Sequence, residues 1–174
     1  MSGPVVPVAL TPYRAKHREG LLAFTLPQEQ EVFTGMPAET LDTALQDDHR
    51  NPVVVICGEA PVGFFVLHGW DGIRDIYSGN RRALLLRAYL IDEASQGRGY
   101  GRASMALLPD YVGRYHPGTE EIVLLVNERN GKAERLYLAS GFHDTGLRRM
   151  GAKGMQKLLR YDLQPPSARP ESDL

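Results

Sequence analysis

Three glycines alternate over Gln96-Gly97-Arg98-Gly99-Tyr100-Gly101, between an apolar run and a helical one, and they constrain this chain more than any other feature. Ala83 to Ile91 is apolar apart from Arg87 and reads as a strand. Gly101 to Tyr115 reads as a helix that Pro109 is expected to kink or divide. Glycines accept backbone geometries that other residues resist and let an anion approach the amides closely. Successive N–H groups at the helix start then face one point, where the helix dipole favours negative charge. Arg98 and Arg102 would add charged donors there. A P-loop requires Gly-Lys-Ser/Thr at the helix start, and this chain has none. A dinucleotide fingerprint requires a third glycine where Arg102 stands and an acid where Asn127 ends the next strand. Neither fits, which leaves another anion or a glycine-rich turn without a ligand.

Around this unit the periods change in order. Val5 to Leu10 reads as an edge strand, with Thr11 as N-cap and Pro12 as first residue of a helix. Tyr13 to Phe24 is weakly helical, and Ala38 to Gln46 is a second helix, with helical character ended by Pro52. Val53 to Cys57 and Val62 to Leu67 form a hairpin across Gly58-Glu59-Ala60-Pro61, and Asp71 to Arg82 reads as a polar loop. Beyond the glycine loop come a strand over Glu121 to Val126, a helix over Gly131 to Ala139 stopped by Gly141, and two final strands, Phe142 to Met150 and Met155 to Leu163. The order implies an α+β fold. A single domain is expected over residues 1–163, and the proline-rich residues 164–174 are expected to form a disordered tail.

Composition mainly excludes. A net charge of −1 over 174 residues argues against a nucleic-acid surface or a polybasic membrane patch. No apolar stretch reaches bilayer length, and the start carries no signal-peptide pattern. The single cysteine, Cys57, precludes an internal disulfide, suits a core position and favours a cytoplasmic location. His17, His49, His116 and His143 show no ligand spacing, so no metal site is expected. Ser104 lacks the Gly-x-Ser-x-Gly context of a hydrolase elbow.

Two blocks together resemble the GNAT family of N-acetyltransferases. Gln96, Gly99 and Gly101 match its Gln/Arg-x-x-Gly-x-Gly/Ala signature. Asn127, Asn130, Ala133, Leu136, Tyr137 and Gly141-Phe142 follow its Asn-x-x-Asn-x-x-Ala-x-x-x-Tyr-x-x-x-Gly-Phe pattern. The resemblance runs from about Ala83 to Met150. It implies a mixed, largely antiparallel sheet, splayed at its centre, with helices on both faces. It also implies acetyl-CoA as co-substrate, with pantetheine pairing along Tyr89, Leu90 and Ile91 as an added strand does. The thioester oxygen would be polarised by a backbone amide near Leu90. The pyrophosphate would sit on Gly97, Arg98, Gly99, Tyr100, Gly101 and Arg102, with Gln96 beside them. Asn130 would cap its helix or bridge the coenzyme, with capping favoured.

The implied reaction is direct acetyl transfer, in a ternary complex, to a primary amine. A small molecule is favoured over a protein N-terminus or lysine as acceptor, and a non-catalytic acyl-CoA sensor is a third reading. Only about one part in two thousand of a lysine-like amine is neutral at pH 7, a cost of roughly 4–5 kcal/mol. Tyr137 is the expected general acid on the departing thiolate, against a purely packing role. The positions where several family members carry a glutamate hold Leu85, Arg87 and Leu125. The general base therefore falls to Asp92, Glu128, His68, Glu29, Glu31 or a water chain. Arg87 is expected to pair with Asp92 or Glu93 in preference to orienting a substrate carboxylate. Trp70 and Tyr77 are weighed as lining an acceptor pocket. A homodimer is expected from the resemblance.

Overall fold

The computed structural model describes residues 8–163; the proposed tail, and residues 5–7 of the expected first strand, lie outside them. Seven strands form one sheet: β1 Val8–Pro12, β2 Arg50–Cys57, β3 Ala60–His68, β4 Ala83–Ile91, β5 Glu121–Asn127, β6 His143–Gly151 and β7 Gly154–Asp162. Five helices accompany them: α1 Arg18–Leu22, α2 Gln28–Glu31, α3 Pro37–Leu45, α4 Tyr100–Tyr115 and α5 Gly131–Ala139. The spatial order is β1-β2-β3-β4-β5-β7-β6. Every neighbouring pair is antiparallel except β4 and β5, which run parallel on either side of α4. The α+β, largely antiparallel expectation holds.

Side-chain alternation divides the sheet cleanly, because successive residues of a strand face opposite sides. Val53, Val55, Phe65, Leu67, Leu84, Leu86, Ile122, Leu124 and Val126 pack with buried residues of α4 and α5. Their neighbours Val54, Phe64, Val66 and Leu90 meet Leu21, Leu41 and Ala44 from α1 and α3. On that same side Ala83, Leu85, Val123 and Leu158 are covered by Ile73 and Tyr77.

Three local expectations change. Thr11 and Pro12 do not open a helix; they end β1, opposite Val54 and Val53. An edge strand tolerates proline because the missing N–H leaves no ladder partner orphaned. Pro109 does not divide α4, which runs unbroken. Ser104, Met105, Leu108, Tyr111 and Val112 bury one face on both sides of the proline, and that packing outweighs its cost of about 3 kcal/mol. The segment read as a polar loop begins as a short turn over Trp70–Gly72 and sends Ile73 and Tyr77 into the core. Tyr77 donates to Glu121 at 2.6 Å.

Candidate active site

β4 and β5 are bridged only through Ala83–Leu85 and Glu121–Val123. Beyond these residues the strands part, as the splayed-sheet expectation required, and a cavity of about 470 Å³ opens between them. A bulge in β4 shapes its wall: Phe64 faces Leu90 but Val66 faces Arg87, so Ala88 and Tyr89 together oppose Phe65. Ala88 takes φ 56°, a left-handed value uncommon for a residue with a side chain. The extra residue swings Tyr89 onto the α4 side. There its hydroxyl shares a 2.6 Å bond with Ser104 and lies 3.3 Å from the Gly101 carbonyl. Burial raises the Tyr89 pKa to about 12, although the Ser104 bond opposes this. Ser104, which fits no hydrolase pattern, thus fastens β4 to the first turn of α4.

The glycine loop lies at one end of the cavity. Gly97 and Gly99 adopt φ of 77° and 83°, and Gly99 is the N-cap of α4. The first helical bond runs from the Ala103 amide to the Gly99 carbonyl, so the amides of Tyr100, Gly101 and Arg102 have no partner within the helix. Gly97, Gly99, Tyr100 and Gly101 line the cavity, whereas Arg98 and Arg102 are not among its lining residues. Both arginines are exposed. The Tyr100 side chain is buried and its hydroxyl reaches Cys57, so its part in the loop is its backbone. Gln96 donates to the Ile91 carbonyl and to Gln30, both at 2.9 Å, binding the loop to β4 and to α2.

At the other wall Asn130 caps α5 by accepting from the Ala133 amide, and it also lines the cavity. Tyr137 lines it with 8% of its surface exposed. Its ring meets Tyr89 edge-on at 6.1 Å and Phe142 at 5.9 Å. Burial, with Tyr89 adding to it, pushes its pKa well above the ordinary phenol value. Leu90 and Ile91 complete the β4 wall.

The base candidates fare differently. None of Asp92, Glu128, His68, Glu29 or Glu31 lines the cavity. Asp92 and Glu93 accept from the backbone and hydroxyl of Thr25, and Glu128 lies 3.8 Å from Arg148. Glu31 borders an adjoining shallow groove with Glu39. Arg87 does not pair with Asp92 or Glu93; its Nη1 donates to Nδ1 of His68 at 3.2 Å. The reason is register: His68 faces Leu85 and Val66 faces Arg87, so Arg87 and His68 are diagonal neighbours on one face, while Asp92 lies past the bulge. Trp70 and Tyr77 do not line the cavity either.

Spacing gave no metal site, yet folding gathers Asp47, His68 and Asp71, with ligand atoms within 4.8 Å of one another. The donor chemistry does not suit a cation. A guanidinium can only donate, so Nδ1 of His68 accepts and the ring proton sits on Nε2, which then has no lone pair to offer. Burial lowers the His68 pKa, holding that neutral form. Nε2 lies 3.9 and 3.7 Å from carboxylate oxygens of Asp47 and Asp71, beyond hydrogen-bond reach.

Residues that no sequence signal marked also line the cavity: Gln30, Phe33 and Thr34 from the α2–α3 segment, Lys132 on α5, and Lys153 and Gln156 from the β6–β7 hairpin. The hairpin reaches the cavity because β7 inserts beside β5. Asn127 secures it by donating to the Lys153 carbonyl at 3.0 Å.

Comparison with known proteins agrees with this geometry. Residues 19–142 match the model of the acetyltransferase (GNAT) family. The chain is 40% identical over 156 residues to the uncharacterized N-acetyltransferase YbbJ of Bacillus subtilis (strain 168), covering 90% of this chain and 98% of that one. Among solved structures, the aminoglycoside acetyltransferase AAC(6')-Ib with coenzyme A and kanamycin superposes with a TM-score of 0.70 at 18% identity, over 91% of this chain and 96% of the other. The spermidine N-acetyltransferase of Vibrio cholerae with CoA and spermine does so at 0.66 and 18%, over 90% and 95%; at these identities the likeness speaks for the fold. The motif pair, the parted strands and the whole-length relative converge: the chain belongs to the GNAT family and is an acetyl-CoA-dependent N-acyltransferase.

Proposed function

We propose that the protein moves the acetyl group of acetyl-CoA directly to a primary amine of a small molecule within a ternary complex. The observation that carries this reading is the cavity itself, whose lining includes both the glycines at the start of α4 and Tyr137. In this reading the pyrophosphate rests on the amides from Gly97 to Arg102, and Arg98 and Arg102 meet phosphate oxygens from outside the cavity. Pantetheine lies along Tyr89, Leu90 and Ile91, where β4 has left its partner. Asn130 holds the α5 end of the cleft in place through its cap.

The amine nitrogen attacks the thioester carbonyl carbon, and a backbone amide near Leu90 receives the developing oxyanion. The C–S bond then breaks, and Tyr137 gives its proton to the departing sulfur. A pKa raised by burial keeps that phenol protonated over the working range, and the thiolate formed in the same desolvated space is made more basic by the same cause. No carboxylate or imidazole lines the cavity among the described residues, so the amine loses its proton through water.

A small acceptor is supported by the fate of the Trp70–Asn80 segment. It turns Ile73 and Tyr77 into the core and contributes no residue to the cavity lining, so it does not build the wider groove that a protein substrate would favour. Cytoplasmic residence and a homodimer belong to the same proposal; for the dimer, edge strand β6 exposes Leu147 and Met150. The test is a panel of amines assayed for acetyl-CoA-dependent thiol release and acetylated product, with Tyr137→Phe alongside. Turnover of small amines, lowered about 10²- to 10⁴-fold in the variant with coenzyme affinity retained, is expected. A fully active variant removes Tyr137 as the acid, and turnover confined to peptides removes the small acceptor.

A further inference from the structure

Arg87 is the one exposed residue of β4, and the space it faces is the cavity. Among the described residues no carboxylate approaches it within ion-pair distance; its side-chain partner is the neutral ring of His68. That ring is 4% exposed and is packed against Gly72, where an added Cβ would stand 2.3 Å from Nδ1. A buried histidine is thus held rigidly in place and spends its one lone pair on a cation that looks into the cleft. Protein packed around the guanidinium lowers the Arg87 pKa, with Arg50 adding to the effect; the charge is left poorly compensated.

The rest of the lining has the same sign. Among the described residues its ionisable cations are Arg87, Lys132 and Lys153, and it contains no aspartate, glutamate or histidine. Arg87 stands three residues before Leu90, roughly 10 Å of strand less the bulge. It is six further positions from the loop that begins at Gln96, too far to reach a pyrophosphate bound there. An arginine side chain plus the few bonds between an amine and a nearby carboxylate spans the shorter distance. The fork geometry of guanidinium matches a carboxylate with two parallel N–H···O bonds.

Resting on the acetyltransferase reading above, we propose that the acceptor is an amine bearing a carboxylate close to its amino group, an amino-acid-like molecule. Arg87 binds that carboxylate, and His68 is the positioning residue that aims Arg87.

The test compares carboxylated primary amines with their matched carboxamides, and with polyamines, using the full-length protein and acetyl-CoA. The wild type favours each carboxylate over its carboxamide by about 10- to 100-fold in kcat/KM, the range of a lost charged hydrogen bond. Arg87→Gln abolishes that preference and Arg87→Lys restores part of it. His68→Ala raises KM for the carboxylated member while leaving kcat and the carboxamide's KM nearly unmoved, a split that general loosening of the sheet would not produce. Calorimetric titration of acetyl-CoA into each variant reports on the donor site and on folding. Coenzyme binding combined with equal or better use of carboxamides or polyamines, with no use of carboxylated amines, or with a preference that survives Arg87→Gln, overturns the carboxylate assignment and leaves the acetyltransferase reading standing. Failure of the wild type to bind acetyl-CoA removes both.

Discussion

Replacing Gly99 and Gly101 by alanine, one at a time, separates two jobs that glycine does in the same loop. Gly99 holds φ at +83°, and a Cβ built there meets nothing within 4 Å. The whole cost of the substitution is therefore conformational, about 1–2 kcal/mol for an alanine forced into the left-handed region. For a domain of this size each kcal/mol moves Tm by about 2–4 °C, so Gly99→Ala is expected to melt roughly 2–8 °C lower without ligand. Gly101 lies inside α4 with no positive φ. Its added Cβ finds Leu136 at 3.5 Å and the Tyr89 hydroxyl at 3.6 Å, ordinary contact distances. Alanine there gains up to about 1 kcal/mol of helix propensity, so Tm holds or rises. Coenzyme affinity then distinguishes their roles in binding. Gly99→Ala weakens it by disturbing the cap that aims the amides, whereas Gly101→Ala weakens it only through a methyl group added to the cavity lining beside Leu136 and Tyr89. Scanning calorimetry of the free proteins and titration with acetyl-CoA read both. A Gly99→Ala protein as stable as wild type, or a Gly101→Ala protein that loses more than Gly99→Ala, refutes the assignment of the turn.

Ser104→Ala removes the buried partner of Tyr89 and leaves a weaker bond to Gly101; a loss of about 1–2 kcal/mol is expected, and an unchanged Tm would show that Tyr89 is held by packing alone. Tyr89 and Tyr137 are among the phenols that couple the fold to alkaline pH. Both are raised by burial, so the stability they protect is complete below the ordinary tyrosine value near pH 10. It is lost as pH rises from there through about 12 for Tyr89. Tyrosinate absorbance followed with far-ultraviolet dichroism checks this, and complete tyrosine ionisation at pH 10 in a still-folded protein contradicts it.

Most elements were legible because their signals are local. The β4 and α5 boundaries agree with the strand and helix read from apolar period and glycine placement, and Asn130 caps α5 as its position implied. Thr11-Pro12 misled because the same dipeptide serves a helix start and an edge strand, and only pairing with β2 decides between them. Ile73 and Tyr77 were hidden inside a polar stretch too short to show a period.

By itself, the sequence determined the end of the cleft proposed for the coenzyme: the strand, the left-handed glycine turn and the helix start are adjacent in the chain, and so is the block from Asn127 to Phe142. Neighbouring residues carry the backbone constraints that build such a site, so reading along the chain suffices. The rest of the cleft lining was decided by tertiary structure alone. Arg87 meets His68 across the β3–β4 ladder, Gln30 meets Gln96 across 66 residues, and Lys153 reaches the cleft through the insertion of β7 beside β5. Strand order brings Lys153 to the cleft and the β3–β4 register sets the Arg87–His68 meeting, and a shift of one residue would have turned Arg87 to the opposite face.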